Sequence, residues 1–303
     1  MLFNPIKPWY LYQPAQLFHS LRDRLSPAGA GFVTKRLAWG VSIRVRRHKV
    51  IGTGIIRNGV FDLAVSEVLY RLADPGEKAL DIGANIGYMS SILGARLGSS
   101  GSLWSFEPHP ELFDHLSSNV QLFASNMDFV PVRLCNTALS DRDGSALLRC
   151  PADFASNEGT ATLGPIGASA ALSTFTVATQ RADTLFGSDY FGVVKLDVEG
   201  HELSVLRGAS ALLAEKRMRD IVFEDHLGPG SEVCALLEEY GYSIFRLGWG
   251  LKGPKIAPIS SQAIHSRFDA PSYLATINPE RAAARLSPRG WQLLSRRRTR
   301  TTR

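Results

Sequence analysis

Two groups of residues in this chain have types and spacing that could do chemistry. The first is Asp81-Ile82-Gly83-Ala84-Asn85-Ile86-Gly87, an apolar run that ends in an acid and two spaced glycines and leads at once into a helical pattern. Glycines at such a strand-to-helix turn let the backbone bend sharply and approach a ligand closely. A dinucleotide fingerprint would read Gly-x-Gly-x-x-Gly, with a pyrophosphate resting on the helix N-terminus. Here an acid precedes only two glycines. Asp81 would repel a pyrophosphate but suits a ligand carrying an ammonium group, such as the methionine end of S-adenosylmethionine. Glu107 closes the next apolar run, about 20 residues on, where an acid conventionally hydrogen-bonds the ribose hydroxyls of an adenosine. The plainer alternative is that Glu107 caps the turn at Pro108 and that Asp81 and the glycines only pack.

The second group is Asp197, Glu199, Glu224 and His226. In VVKLDVEGHE the strand period of two places Lys195, Asp197 and Glu199 on one face, with Lys195 deeper and set for a buried ion pair. IVFEDH repeats the device with Glu224 and His226 two apart. A methyl group on a sulfonium needs in-line alignment more than activation, whereas a sugar-type hydroxyl is a poor nucleophile and benefits from a base or a Lewis acid. Asp197 or His226 could take the proton. Alternatively, Asp197, Glu199 and Glu224 offer the hard oxygen ligands that a magnesium-type cation prefers, and the sequence leaves this choice open. Glu199 serves equally well as a helix cap. His201 is expected as a solvated first-turn residue, and His109 and His115 on a helix surface.

These residues need a scaffold that brings strand ends together. KALDI (78–82), SLWSFE (102–107) and FVPVRLC (129–135) alternate with helical patterns over 86–97 and 109–123, the rhythm of a parallel sheet. A helix over 62–73 precedes them. After them come a tight turn at 141–144 between two short strands, an Ala/Gly/Ser-rich stretch over 151–171 that reads as a mobile lid, and strands near 173–178, 193–198, 221–225, 242–247 and 272–277. Helices are expected over 201–214 and 231–239.

The formal charge of +6 averages three unlike pieces. Residues 1–50 carry nine Lys/Arg against one acid, Asp23; residues 51–280 carry seventeen against twenty-seven; residues 281–303 carry eight Arg and no acid. An acidic middle between basic arms is not the footprint of a nucleic-acid reader. Three cysteines without metal-ligand spacing point to a reducing cytoplasm, and no apolar run approaches the roughly 20 residues needed to span a bilayer. The division expected is a basic cap or arm over 1–54, a catalytic domain over 55–280, and a disordered Arg-rich tail over 281–303. The basic arms would suit peripheral contact with an anionic membrane surface.

The stretches DPGEKALDIGANIGYMSSI, LWSFEPHPELFDHLSSNVQL, NTALSDRDGSALL and VVKLDVEGHELSVLRGA together resemble the FkbM family of S-adenosylmethionine-dependent methyltransferases over roughly residues 55–277. The resemblance implies an α/β, Rossmann-like class I methyltransferase fold: a seven-stranded sheet, six strands parallel and the last reversed, with helices on both faces. It implies that Asp81, Gly83, Asn85 and Gly87 line the donor's methionine portion. Glu107 would hold the ribose, and Asn136 to Ala138 would lie near the adenine. Methyl transfer to a hydroxyl of a sugar, glycan or small metabolite is the expected activity. A module that binds S-adenosylmethionine without chemistry is the alternative from another class; a nucleic-acid methyltransferase is a weaker one, since the matching strand end reads LDVEG rather than Asn/Asp-Pro-Pro-aromatic.

Overall fold

The computed structural model describes residues 6–25, 31–125, 128–163, 173–261 and 271–295. The second half of the expected lid and the last eight residues lie outside these. In chain order come α1 (Pro8–Tyr12), α2 (Pro14–Leu25), β1 (Phe32–Arg36), β2 (Ser42–Arg46), α3 (Val50–Asn58), α4 (Leu63–Leu72), β3 (Lys78–Ile82), α5 (Tyr88–Leu97), β4 (Ser102–Phe106), α6 (Pro110–Phe123) and β5 (Val132–Cys135). There follow β6 (Ala138–Leu139), β7 (Gly144–Cys150), β8 (Ser173–Gln180), α7 (Ala182–Phe186), β9 (Phe191–Leu196), α8 (Glu202–Arg207), α9 (Ser210–Ala214) and β10 (Met218–Glu224). The chain continues through α10 (Glu232–Glu239), β11 (Ser243–Gly250), β12 (Gly253–Pro258), β13 (Ser272–Thr276) and α11 (Pro279–Leu286).

The main sheet runs β12-β11-β13-β10-β9-β3-β4-β5. Six strands point one way and β13 lies antiparallel between β10 and β11, as the resemblance implies. The sheet has eight strands rather than seven, because the chain turns back at Leu251-Lys252 and β12 pairs antiparallel with β11. Side chains of β3 alternate between two cores: Ala79 joins α4 and α5 on one face, Leu80 and Ile82 join α8 and α9 on the other. Burial on both faces is why these strands read as continuous apolar runs. The two short strands flanking 141–144 do not form a hairpin; β6 and β7 both pair with β8 in a separate three-stranded sheet. The helix expected over 201–214 is two helices, interrupted at Gly208-Ala209.

The N-terminal segment packs rather than trails. Arg47 and Arg57 both grip Asp23, the backbone N–H of Arg44 donates to Asn119, and α2 buries Gln16 and Ser20 while turning Phe18, Leu21 and Leu25 to solvent. The C-terminal expectation also changes. Residues 281–295 are not a disordered tail, for α11 buries Ala282 and Leu286, and Trp291, Leu293 and Leu294 join the core. A buried ion pair holds this segment down: Arg71 bonds Glu67 at 2.6 Å and donates to the carbonyls of Pro288 and Gly290, while Glu67 accepts the backbone N–H groups of Gln292 and Leu293. Among the described residues, no helix is long and apolar enough to cross a membrane.

Removing one partner of such a pair strands a buried charge. Replacing Arg71 by Met is expected to destabilise the fold by about 3–5 kcal/mol, read as a lower urea midpoint.

Candidate active site

The carboxyl ends of β3 and β9 meet around one buried ammonium, with the end of β10 beside them in the sheet. Lys195 lies opposite Asp81 in the β3–β9 register and is 5% exposed. Its Nζ donates to the Gly83 carbonyl at 2.6 Å and stands 3.7 Å from Asp81 and 3.4 Å from Asp197. Burial alone would lower its pKa, but Asp197 and Asp81 raise it above the ordinary lysine value, so the ammonium stays charged. Asp81 is fully buried, and burial pushes its carboxyl upward against the opposing pull of Lys195 and the Ser90 hydroxyl, which donates to it at 2.5 Å. The expectation that Asp81 lines the ligand cavity therefore fails in this structure: it holds Lys195 and Ser90 beneath the loop.

Above this pair the glycine loop adopts left-handed backbone at Gly83 (φ 78°), Asn85 (φ 50°) and Gly87 (φ 85°). A Cβ on Gly83 would stand 1.9 Å from the Asp197 carbonyl oxygen, so only glycine lets β3 and β9 close here. Gly83, Ala84, Asn85 and Ile86 line a cavity of about 590 Å³, whereas Gly87 caps α5 behind them. Glu107 also lines it, and its two oxygens accept the backbone N–H groups of Asn85 (2.8 Å) and His109 (2.9 Å). Burial raises the Glu107 pKa to about 7, against those two amides. Each oxygen keeps a second lone pair for a ribose hydroxyl. Ala138 is in the wall; Asn136 is not, and instead its amide braces the carbonyls of Glu107 and Pro108.

Asp197, Glu199, Glu224 and His226 all line the same cavity. Asp197 extends from the end of β9, but Glu199 arrives by a left-handed turn (φ 53°) with Gly200, not by the strand alternation expected for it. His226 Nε2 lies 2.7 Å from Glu224. Burial, then the charge of Asp197, raises the pKa of Glu199 to about 7; burial, with Asp197, Glu199 and Asp62, raises that of Glu224 to about 8. Asp62 comes from a left-handed residue that caps α4, and its only sequence signal was the place of an acid at that helix start.

The described part of the lid, 151–163, forms another wall. Asn85 donates to the Glu158 carbonyl (3.0 Å), Thr162 to the Glu199 carbonyl (2.5 Å), and Arg46 and Lys49 of the basic cluster pair with the Glu158 side chain. Nothing in the composition of this stretch marked Glu158. The histidines also differ from expectation. His109 is buried between Phe154 and Phe175, His115 bonds the Arg44 carbonyl, and His201 is half-buried on Ser140 rather than solvated.

Six carboxylates (Asp62, Glu107, Glu158, Asp197, Glu199, Glu224) line the cavity against one lysine. Such a site favours a cationic ligand, and the remaining lone pairs of Glu107 fit the ribose hydroxyls of an adenosyl group beside it. A divalent cation fits less well: among the described residues, no group of three His, Cys, Asp or Glu side chains converges as ligands. Replacing Lys195 by Met would leave Asp81 and Asp197 uncompensated and free the Gly83 carbonyl. The expected outcome is a loss of about 3–5 kcal/mol in stability together with loss of S-adenosylhomocysteine binding, checked by thermal unfolding and calorimetry.

Comparison with known proteins gives the family. Residues 81–244 match the model of the methyltransferase FkbM domain. The hexuronic acid methyltransferase AglP of Haloferax volcanii is 30% identical over 179 residues, covering 58% of this chain and 67% of AglP. Among solved structures, a methyltransferase FkbM from Methylobacillus flagellatus aligns at TM-score 0.40 with 16% identity over 72% of this chain, which spans only 46% of that protein. An S-adenosylmethionine-dependent O-methyltransferase from Thermotoga maritima aligns at TM-score 0.41 with 15% identity, over 84% of this chain and 80% of that one. On the strength of its sequence match across β3 to β11, this chain belongs to the FkbM family of S-adenosylmethionine-dependent methyltransferases.

Proposed function

We propose that this chain transfers the methyl group of S-adenosylmethionine to a hydroxyl oxygen of a sugar. The observation that carries the reading is that Asp197, Glu199, Glu224 and His226 line the same cavity as the glycine loop. The donor supplies a methyl on a sulfonium; its C–S bond breaks as the O–C bond forms, giving a thioether and an ether. The hydroxyl proton goes to Nδ1 of His226, whose Nε2–H donates to Glu224, and Glu224, ionised against the bound sulfonium, stabilises the imidazolium as it forms. Asp197, fixed by Lys195, orients the hydroxyl, and much of the acceleration comes from that alignment. No step runs through a metal ion.

The sugar acceptor is supported by the relationship to a hexuronic acid methyltransferase. Six cavity carboxylates disfavour a nucleic-acid acceptor, whose phosphates they would repel. Peripheral contact with an anionic membrane belongs to the same reading. Here α2 is the better candidate surface, since Arg22 flanks its exposed Phe18, Leu21 and Leu25, whereas Arg46, Arg47 and Lys49 are engaged inside the protein.

The reaction is tested by S-adenosylhomocysteine release with a panel of nitrophenyl hexosides and hexuronosides. His226→Ala is expected to lower kcat about 10²–10⁴-fold with donor affinity unchanged. Donor binding without turnover of any acceptor would favour the non-catalytic module instead.

A further inference from the structure

The wall formed by residues 151–163 differs from the rest of the donor cavity in how it is held. A surface segment is usually pinned by apolar burial. Of these residues only Glu158 is buried, and its side chain is a carboxylate. Its charge is met by Arg46 at 2.5 Å and Lys49 at 3.3 Å. Lys49 also donates to the Ala155 carbonyl at 2.6 Å, and the Val50 N–H donates to that of Ser156. The post that carries this basic pair is held by burial instead. Ile43 and Val45 of β2 are fully buried, the Arg44 N–H donates to Asn119, and Asn119 and His115 both bond the Arg44 carbonyl, which joins β2 to α6. The segment also touches both functional groups of the cavity: Asn85 of the glycine loop donates to the Glu158 carbonyl, and Thr162 donates to that of Glu199.

We infer that residues 151–163 are a gate over the donor cavity, and that Arg46 and Lys49, through Glu158, are the latch that sets how fast ligands pass it. The inference rests on the donor reading of this cavity and adds to it the control of exchange. A segment held by polar bonds, with little apolar surface buried, opens locally far more easily than the sheet beneath it. When it lifts, the Glu158 carboxylate and the partly exposed Arg46 and Lys49 exchange one another for water, so no charge is left stranded in the interior. When it is closed, the same bonds fix the Asn85 side chain, whose backbone N–H anchors Glu107, so the ribose contact and the gate are set together. Arg46 and Lys49 do not line the cavity. Their bond to Glu158 therefore opposes opening equally with and without a ligand, and it cancels from the affinity. Its mark is kinetic: a weaker latch speeds entry and exit alike. Both basic residues precede the segment that matches the shared methyltransferase domain, so the latch is supplied from outside that match.

The test follows S-adenosylhomocysteine on the immobilised full chain by surface plasmon resonance. Arg46→Gln is expected to raise the association rate and the dissociation rate each by about tenfold, the weight of one charge-assisted hydrogen bond, with the affinity within about twofold of the wild type. Arg46→Lys, which keeps a cation beside Glu158, should bring both rates most of the way back. Lys49→Gln, at the longer contact, should raise both by a smaller factor and gives the same test should Arg46→Gln not fold. Amide hydrogen exchange of residues 151–163 should quicken in Arg46→Gln while that of β3, β9 and β10 stays as in the wild type. Unchanged rates, or faster dissociation with an unchanged association rate, would overturn the latch and leave the donor reading standing. Exchange that quickens throughout the sheet would overturn it too, since Arg46 would then serve the fold. Failure of the wild type to bind S-adenosylhomocysteine would overturn the donor reading and the gate with it.

Discussion

A single buried cation organises the ends of two neighbouring strands. The Lys195 ammonium ties the carbonyl of the glycine loop to the acids of β3 and β9, and the close approach of Gly83 to the Asp197 carbonyl depends on the same two strand ends being drawn together. A lysine at this depth is tolerated only because two carboxylates and a carbonyl replace its water. The consequence reaches the chemistry: the loop that would cradle the donor and the acid that would face the acceptor share one counter-ion. A displacement on one side is felt on the other.

Two further acids border the same cavity without contacting that ammonium. Glu199 and Glu224 sit near one another and near Asp197 with their pKa values raised by burial and mutual repulsion, and they border a cavity that contains six carboxylates for one lysine. A cation entering that cavity relieves the repulsion and lets these groups ionise. The mildly basic net charge of the whole chain hides this. Three of the nine basic residues in 1–50 are engaged within the protein, Arg47 with Asp23 and Arg46 and Lys49 with Glu158.

The sheet, the glycine turn and the positions of Glu107, Asp197 and Glu224 at strand ends were legible because each follows a local rule: buried parallel strands are apolar throughout, and polar residues collect where such strands end, whereas Glu199 reaches the cavity by a left-handed turn. Three kinds of feature were not legible. Asp81 looked like a ligand contact, since its direction beneath the loop depends on Lys195 and Ser90, one 114 residues away in sequence. Glu158 and Asp62 come from a turn and a left-handed cap with no motif of their own. The order of residues 281–295 was masked by arginines, although Trp291, Leu293 and Leu294 supply the burial and a distant Glu67–Arg71 pair supplies the anchor.

The claim that the cavity is built for a cationic donor is tested most directly by counting the protons released on binding. Calorimetric titrations at slightly alkaline pH, in two buffers of different ionisation enthalpy, would compare S-adenosylmethionine with S-adenosylhomocysteine, which lacks the sulfonium charge. Greater proton release with S-adenosylmethionine is the expected result, as Glu199 and Glu224 ionise against the sulfonium. Equal release with both ligands would contradict it.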